Sequence, residues 1–391
     1  MAPRRKPPLQ VEDLQGFRYL RHFGQLWQSL RACAVDAAGN RTFFYDQYLA
    51  LLLLYYFTPI LTSLRGLQQA TTLDKVQKAL GLPKAAALGT LSAAARTFEP
   101  ALLQPLLAEL ADRAVPVVDG REAEALAGLT AVDGSLFRAL PQMVWALWTD
   151  PTHRAAKLHL HFDVMHGVPF QATVSPAACS EIEHLERRLE PGRFYVLDRG
   201  YASYALLGHI VAAQSSFLVR LKEDAAFTVQ QERSLTPAAT QAGVFRDLVA
   251  QRLGTSHHKD EVGRPVRLVW VRHPRPRPGE DTVLLLCTDR LDLAAELVAL
   301  GYRRRWWIEL FFRWLKCLLG CRHLLSTDQD GVTIQIYAAL IASLLVSLST
   351  GRKPTKRTFE MLCFYFTGWA SAAEVERHLT SLTDQEKKDT S

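Results

Sequence analysis

The chain has 391 residues, of which 48% are hydrophobic and 22% are charged, and this balance predicts a soluble globular protein of about two or three domains. Its 46 Lys and Arg residues outnumber 39 Asp and Glu residues, giving a net charge of +7 that mildly favours an anionic partner. The six cysteines form neither a dense disulfide framework nor a paired CxxC zinc pattern, so reduced thiols in the cytoplasm are expected.

The first 125 residues have long apolar-periodic segments and few β-branched runs, which predicts a helical N-terminal domain over 1–125. Within it, "TLDKVQKALGLPKAAALGTLSAAARTF" contains two helix-length runs separated by a Gly81-Leu82-Pro83 break. This outline fits a DNA-binding helix-turn-helix and, equally well, an ordinary helical hairpin. The basic start, "MAPRRKPPLQ", leads into no apolar segment, so we expect no signal peptide.

Two apolar stretches are close to the length of a membrane span. They are "YLALLLLYYFTPILTSL", which Pro59 interrupts, and "VTIQIYAALIASLLVSLST", which carries Gln335 and several Ser and Thr residues. Because each is near the lower length limit for crossing a bilayer, we predict two buried core helices and no membrane partner.

A different pattern begins near residue 126. Strand-like runs occur in "LTAVDGSLF", "KLHLHFDVM", "VPFQATVS", "RFYVLDRG" and "SFLVRLK", with a helical run from Glu181 to Leu189 among them. Residues 126–222 are therefore expected to form the first part of a mixed α/β core.

The remaining chain divides into three parts. Residues 223–292 alternate strand-like runs, such as "PVRLVWVRH" and "DTVLLLCTD", with polar, proline-rich stretches, so a β-rich insertion is predicted there. Helical patterns resume over 293–325, the second part of the core, and continue through a C-terminal helical region over 326–391.

A basic stripe lies on the segment "YRRRWWIELFFRWLK". At about 100° per residue, five side chains of a helix here fall within roughly 80° of one another. These are Tyr302, Arg305, Glu309, Arg313 and Lys316. The opposite side is predicted to pack against the protein through Trp307, Leu310, Phe311 and Trp314.

Three carboxylates are candidates for one site. Asp133 and Asp198 end two predicted strands of the same sheet, and Glu309 lies on the basic helix. Carboxylates brought together repel one another unless a cation neutralises them, and Mg²⁺ prefers carboxylates together with water and phosphate oxygens. Two such ions can catalyse an in-line phosphoryl transfer, while the basic stripe holds a phosphate backbone.

These residues resemble a known family. Asp133 in "VDGS", Asp198 in "VLDRGY" and the pattern Y-x2-R-x3-E-x6-K, formed by Tyr302, Arg305, Glu309 and Lys316, match the DDE transposases of the insertion-sequence-4 type. The resemblance covers about residues 125–325 and, more loosely, the helical regions on either side. It implies an RNase H-like mixed sheet with a β-rich insertion, preceded by an all-α N-terminal domain and followed by C-terminal helices.

The resemblance also implies roles for individual residues. Asp133, Asp198 and Glu309 would be catalytic and bind two Mg²⁺ ions, with Mn²⁺ able to substitute. Tyr302, Arg305 and Lys316, with Arg313 on the same stripe, would contact DNA phosphates.

The implied reaction is nicking at transposon-end inverted repeats, followed by attack of the freed 3′-hydroxyl on target DNA. A homodimer on paired ends, in a bacterial cytoplasm and associated with the nucleoid, is expected. Better-known relatives flip a nucleotide onto a Trp; Trp270, Trp306 and Trp307 are candidates here, with Trp270 preferred and Trp307 expected in the core.

Three alternatives remain open. His159, His161 and Asp163 alternate along one strand and His166 follows closely, which is also typical of a metallohydrolase ligand set. A DNA-binding regulator derived from a transposase would fit the basic charge, but it predicts a damaged carboxylate triad. An unrelated nuclease of the same fold would cut DNA without joining it.

Overall fold

The computed structural model describes Leu30 and residues 42–58, 60–118, 120–138, 142–150, 153–254, 262–273, 281–318, 324–353 and 355–390. The basic start of the chain and most of the proline-rich run after Arg272 lie outside these residues. The predictions made for those two segments therefore stay predictions.

A ten-stranded mixed sheet forms the centre of the described structure, which confirms the predicted α/β class. Its strands follow one another as β4–β3–β1–β5–β6–β10–β9–β8–β7. The short strand β2 pairs with the first residues of β3. Strands β1, β5 and β6 are parallel, whereas the other pairs are antiparallel. The strands are β1 Leu129–Arg138, β2 Leu147–Asp150, β3 His153–Asp163, β4 Val168–Pro176, β5 Phe194–Leu197, β6 Ser216–Leu221, β7 Phe227–Glu232, β8 Val244–Leu253, β9 Val266–Arg272 and β10 Val283–Thr288.

Helices cover both faces of this sheet. They are α1 Tyr45–Phe57, α2 Leu64–Ala70, α3 Asp74–Leu80, α4 Leu88–Thr97, α5 Leu103–Asp112, α6 Gly120–Ala125, α7 Glu181–Glu186, α8 Tyr204–Ala212, α9 Pro237–Gln241, α10 Ala295–Arg304, α11 Trp306–Leu318, α12 Gln329–Thr350, α13 Lys356–Phe366 and α14 Ala372–Thr390. Short 3₁₀ turns occupy Pro100–Leu102 and Arg199–Tyr201.

The alternation of side chains along the strands separates two hydrophobic cores. On β5, Phe194 and Val196 face the larger core, which α1, α5 and α10 to α13 complete, whereas Tyr195 and Leu197 face a smaller core with α8. The period-2 alternation of a strand is what directs neighbouring residues to opposite faces. The result is a sheet between two helical layers.

Helix α12 lies inside the larger core, as predicted for its apolar stretch. It is long and apolar enough to cross a membrane, but 94% of its most apolar window is buried in the protein. It packs against α1, α4 and α5 from the N-terminal region and against β4. The described N-terminal and C-terminal helices therefore share one core with the sheet, and the apolar stretch of α1 is buried there too.

The β-rich insertion continues the central sheet. Strand β10 pairs with β6 of the core, and β9, β8 and β7 follow outward. Inside the insertion, Arg267 and Asp247 form a buried ion pair with Nη2 and Oδ2 2.6 Å apart. The insertion is therefore bonded to the core through main-chain hydrogen bonds of a shared sheet.

The predicted single helix from Tyr302 to Lys316 is interrupted. Helix α10 ends at Arg304, α11 begins at Trp306, and the amide of Arg305 donates to the carbonyl of Tyr302 at 3.1 Å. This i→i−3 hydrogen bond forms one tight turn of the 3₁₀ type between the two helices. The basic stripe from Tyr302 to Lys316 therefore continues across the junction. Leu310, predicted to face the core, is instead 44% exposed, because the buried side of α11 is formed by Ile308, Phe311, Phe312, Trp314 and Leu315.

Candidate acidic site between the sheet and a basic helix

Asp133 and Asp198 lie near each other on neighbouring segments: β1 and β5 are parallel with Ala131 opposite Val196, and each aspartate lies two residues further along the chain. Asp198 directly follows β5, as predicted, but β1 continues through Asp133 to Arg138, so the prediction that Asp133 ends its strand was wrong. Each carboxylate is oriented by a backbone amide: Asp133 Oδ1 accepts from Gly134 at 2.8 Å, and Asp198 Oδ1 accepts from Gly200 at 2.8 Å. The structure thus brings together two of the three predicted catalytic carboxylates.

The environment of Asp133 disfavours its ionised form. The pKa of Asp133 is raised to about 7, mainly by burial, and the nearby carboxylates of Asp198 and Glu181 act in the same direction. The Gly134 amide and the Arg305 guanidinium act in the opposite direction. A carboxylate with this environment is one whose charged form gains from an added cation.

Glu309 is held by Arg305. The Nη2 atom of Arg305 lies 2.6 Å from Oε1 of Glu309, with both side chains mostly covered. Asp133 is a further charged neighbour of Arg305 and, with Tyr302 and Glu309, raises the pKa of its guanidinium. Glu309 and Asp133 therefore share Arg305 as an electrostatic partner.

The donor set fits a hard divalent cation in part. The carboxylates of Asp133 and Asp198 interact electrostatically, and carboxylate oxygens are ligands that Mg²⁺ prefers. Within the part of the chain that the structure describes, no group of three or more His, Cys, Asp and Glu side chains is arranged to hold a metal ion. Glu309 is paired with Arg305 instead.

The other members of the predicted stripe run from the buried site to the surface. Tyr302 is buried, and burial raises the pKa of its hydroxyl, with Arg305, Arg220 and Asp198 as its charged neighbours. Arg313 is exposed on α11, and the Lys316 ammonium lies 5.3 Å from the ring centroid of Phe137, near the end of β1. The stripe therefore follows β1 away from the aspartates.

The three tryptophan candidates have different surroundings. On β9, the ring of Trp270 has the Arg246 guanidinium 4.8 Å from its centroid and the edge of Phe227 at 5.8 Å. Trp306 is 41% exposed, whereas Trp307 is partly buried against the larger core, as expected.

The histidines of β3 are not arranged as a metal centre. His159 Nε2 pairs with the Ser175 hydroxyl at 2.8 Å, and the ring stacks on that of His184 at 3.9 Å. Asp163 accepts from two backbone amides of the following turn and pairs with His166 Nδ1 at 2.9 Å. The metallohydrolase hypothesis is therefore not supported by the described residues.

Glu181 is an acidic residue beside the site that sequence reasoning missed. A Cβ placed on Gly134 would lie 2.7 Å from Glu181 Oε1, so the carboxylate contacts the backbone directly after Asp133. The Tyr201 hydroxyl donates to Oε2 at 3.2 Å, and Lys157 Nζ lies 3.1 Å from Oε1. The available signal was its place at the start of the predicted helix that follows β4.

The fold and site define a class of protein: a mixed α/β structure with one carboxylate on a central strand, a second directly after the adjacent parallel strand and a third on a basic helix. The family comparison agrees with this class. Residues 125–345, more than half of the chain, match the family model described as "Transposase DDE domain". The chain belongs to this DDE transposase family.

Two curated relatives are also named as transposases. A protein of Sinorhizobium fredii named as the transposase y4zB is 30% identical over 198 residues, covering 50% of this chain and 54% of that protein. A protein of Geobacillus stearothermophilus named as the transposase for insertion sequence element IS5377 is 27% identical over 191 residues, covering 49% of this chain and 48% of that protein. The aligned stretch thus spans about half the length of each relative.

A solved structure of a piggyBac transposase synaptic complex with hairpin DNA is similar over 95% of this chain and 81% of that one, at 10% identity. Its TM-score is 0.39, so no conclusion is drawn from that likeness.

Proposed function

We propose that this protein is a DNA transposase that cuts DNA at the ends of an insertion sequence and joins the freed 3′-hydroxyl to target DNA. One observation carries the proposal: in a DDE-family chain, Asp133 on β1 lies near Asp198 directly after β5, and Arg305 pairs with Glu309 while it also interacts electrostatically with Asp133. The insertion-sequence-4 type is proposed from the motif of Tyr302, Arg305, Glu309 and Lys316.

An RNase H-like core is part of this proposal. The strand order β4–β3–β1–β5–β6, with β1, β5 and β6 parallel and β3 antiparallel, supports it. In this arrangement the proposed active site lies at Asp133 within β1 and at Asp198 directly after β5, and β7 to β10 are the insertion before the glutamate helix.

In the proposed mechanism Asp133, Asp198 and Glu309 bind two Mg²⁺ ions, for which Mn²⁺ can substitute. When bound, such ions activate an attacking water or 3′-hydroxyl and stabilise the leaving oxygen. Asp133 and Asp198 are already oriented by the amides of Gly134 and Gly200. Arg305 exchanges its contact with Glu309 for a substrate phosphate, which frees Glu309 to ligate.

The proposed DNA surface extends along the stripe. Tyr302 and Arg305 lie next to the site, Arg313 is exposed, and Lys316 contacts the ring of Phe137. These groups are proposed to bind phosphates. Trp270 is proposed to bind an unstacked base once Arg246 moves away from its ring. The proposed partners are inverted-repeat ends and target DNA, bound by a homodimer in a bacterial cytoplasm.

The decisive experiment uses the full chain, a labelled DNA fragment carrying the element's terminal repeats, an acceptor plasmid and Mg²⁺. We expect nicking at the repeat boundary and a joined product, both lost in Glu309→Gln while DNA binding persists. Glu360→Gln, at an exposed glutamate on α13, is the matched control and should react normally. Binding without cleavage would instead indicate a regulator, and cleavage without joining a nuclease.

A further inference from the structure

Asp281 holds two arginines beside the proposed active site. Its Oδ2 atom lies 3.2 Å from Nη1 of Arg199 and also accepts a hydrogen bond from Nη2 of Arg220. One carboxylate oxygen is thus shared by two guanidinium groups, and the three side chains together carry one net positive charge. Guanidinium groups bind the oxygens of phosphates in the same manner as those of carboxylates. The structure therefore contains a place for an anion that a side chain of the chain itself fills.

The register of the sheet places these two arginines beside Asp198. Arg199 directly follows Asp198 in the chain. On the neighbouring parallel strands β5 and β6, Leu197 is opposite Val219. The next residue of each segment is therefore at the same level of the sheet, and these two residues are Asp198 and Arg220.

Asp281 lies at the edge of the sheet where β5 and β6 end. It precedes β10 by two residues, and β10 runs antiparallel to β6. Arg220 and Asp198 are also charged neighbours of Tyr302 on the basic stripe. The Asp281 carboxylate is therefore next to the acidic site and the basic stripe, where the backbone of a DNA strand is proposed to run.

All three side chains can be reached from solvent. The side chains of Arg199 and Asp281 are 52% and 41% exposed, and that of Arg220 is 21% exposed. Ion pairs with this exposure contribute little free energy, so a phosphate can displace the carboxylate. A phosphodiester carries the same single negative charge as Asp281, so the exchange leaves the local charge unchanged.

We propose that Arg199 and Arg220 form a binding site for a DNA phosphate, and that Asp281 fills this site until DNA displaces it. The inference rests on the proposed function, because the phosphate belongs to the DNA that is proposed to be cut there. Asp281 then competes with the substrate and lowers the affinity of the free protein for DNA. DNA of any sequence fits this site, since phosphate contacts carry no direct sequence information.

A purely structural role for Asp281 makes a different prediction. The carboxylate would connect the start of β10 to the ends of β5 and β6, and its loss would lower the unfolding midpoint. DNA affinity would then change only by the general effect of removing one negative charge. Asp292 measures that general effect, because it also pairs with an arginine, Arg290, but beyond the opposite end of β10.

The test measures binding of the full chain to a labelled DNA duplex of arbitrary sequence, in EDTA and at one fixed salt concentration. For Asp281→Asn we expect about fivefold tighter binding than for the parent, because no ion pair has to be broken before the phosphate binds. The matched control Asp292→Asn removes the same charge and should stay within about twofold of the parent, since salt screens a distant exposed charge.

A second variant tests the arginines directly. Arg199→Gln should bind the duplex more weakly and reduce the slope of log affinity against log salt by about 1, because one phosphate contact is lost. In the Arg199→Gln background, Asp281→Asn should have a smaller effect than in the parent, since the two residues interact with each other.

Equal DNA affinities of Asp281→Asn and Asp292→Asn would overturn the inference. Cleavage and joining of terminal-repeat DNA by the parent in Mg²⁺ would in that case leave the proposed function intact. Tighter binding by Asp281→Asn than by Asp292→Asn, with a parent that neither cuts nor joins DNA, would instead support the phosphate site and remove the proposed function.

Discussion

Arg305 and Glu309 form an ion pair one helical turn apart, with 2.6 Å between Nη2 and Oε1. Their side chains are only 14% and 30% exposed, so solvent screens this pair less than a surface pair. The same guanidinium cannot hold Glu309 and a DNA phosphate in identical geometry. In the proposed mechanism, binding of a substrate phosphate and release of Glu309 are therefore coupled through one side chain.

The first prediction concerns this arginine. Arg305→Ala should weaken binding to end DNA and reduce the slope of log affinity against log salt by about 1, because one phosphate contact is lost. Binding curves at several salt concentrations measure the slope. The control is Arg187→Ala, at an exposed arginine directly after α7, which should keep the slope of the parent. An unchanged slope in Arg305→Ala would argue against a phosphate contact by Arg305.

A second prediction follows from the pKa of Asp133, which burial raises from 3.8 to about 7. Between these two pH values, Asp133 keeps its proton in the native state but has lost it in the unfolded state. This contribution to stability is complete below pH 3.8 and is lost as pH rises through 7. At pH 8 and without metal, Asp133→Asn should therefore be about 2 kcal/mol more stable than the parent.

Urea unfolding of both proteins at pH 8 and pH 4, in EDTA, measures this difference. The advantage of Asp133→Asn should shrink toward pH 4, where the parent carboxyl is protonated in the native state. Added Mg²⁺ should stabilise the parent more than the variant. The assigned environment of Asp133 would be contradicted if the stability of Asp133→Asn relative to the parent were lower at pH 8 than at pH 4.

The third prediction concerns His161, which is fully buried. Burial lowers its pKa to about 3, and the nearby charges of His184, Arg188, Arg193 and His159 act in the same direction. Neither ring nitrogen has a hydrogen-bond partner among the described residues. The stability that depends on neutral His161 is complete above pH 6.5 and is lost as pH falls toward 3.

His161→Phe should accordingly reduce the pH dependence of unfolding between pH 6 and 4 by about 1.4 kcal/mol per pH unit, the value for one proton. The phenyl ring keeps the edge contacts with Phe170 and Tyr195. His209→Gln, at an exposed position on α8, should leave the slope as it is. If His161→Phe and the parent had the same pH dependence of unfolding, His161 would take up its proton in the native state as well.

The fourth prediction tests the packing of α4 on α12. A Cβ on Gly331 would lie 2.8 Å from the Cβ of Ala95 and 2.6 Å from that of Ser326, so Gly331→Ala should cost about 2 kcal/mol by overpacking. Gly89 on α4 has no neighbour within 4 Å of an added Cβ. Gly89→Ala should therefore be neutral or stabilise by up to about 1 kcal/mol, and thermal unfolding of the two variants measures both effects.

Part of the site was predictable from regular patterns. Asp198 directly follows an apolar strand, and the helical period placed Arg305 and Glu309 on one stripe. The continuation of β1 beyond Asp133 was not predicted, because the Gly134 that follows is typical of a turn. The same i,i+4 spacing also allows the ion pair between them, which the functional interpretation overlooked. Glu181 was missed because only the three-dimensional fold brings its helix to Gly134.

The insertion was less predictable for physical reasons. Strand β7 is polar and largely exposed, so it lacks an apolar face to mark it. In β8, Asp247 occupies a buried position because Arg267 on β9 neutralises it, and this breaks the apolar alternation. That β10 pairs with β6 depends on main-chain bonds between distant segments, which local patterns do not encode.

The position of α12 has a consequence for the order in which the protein is made. This helix, at Gln329–Thr350, is the surface on which α1, α4 and α5 pack, although the ribosome synthesises those helices more than 200 residues earlier. A nascent chain that stops before residue 329 exposes the apolar sides of the early helices and lacks their common support. Synthesis past residue 350 is therefore the step at which a growing chain can begin to close its larger core around α12.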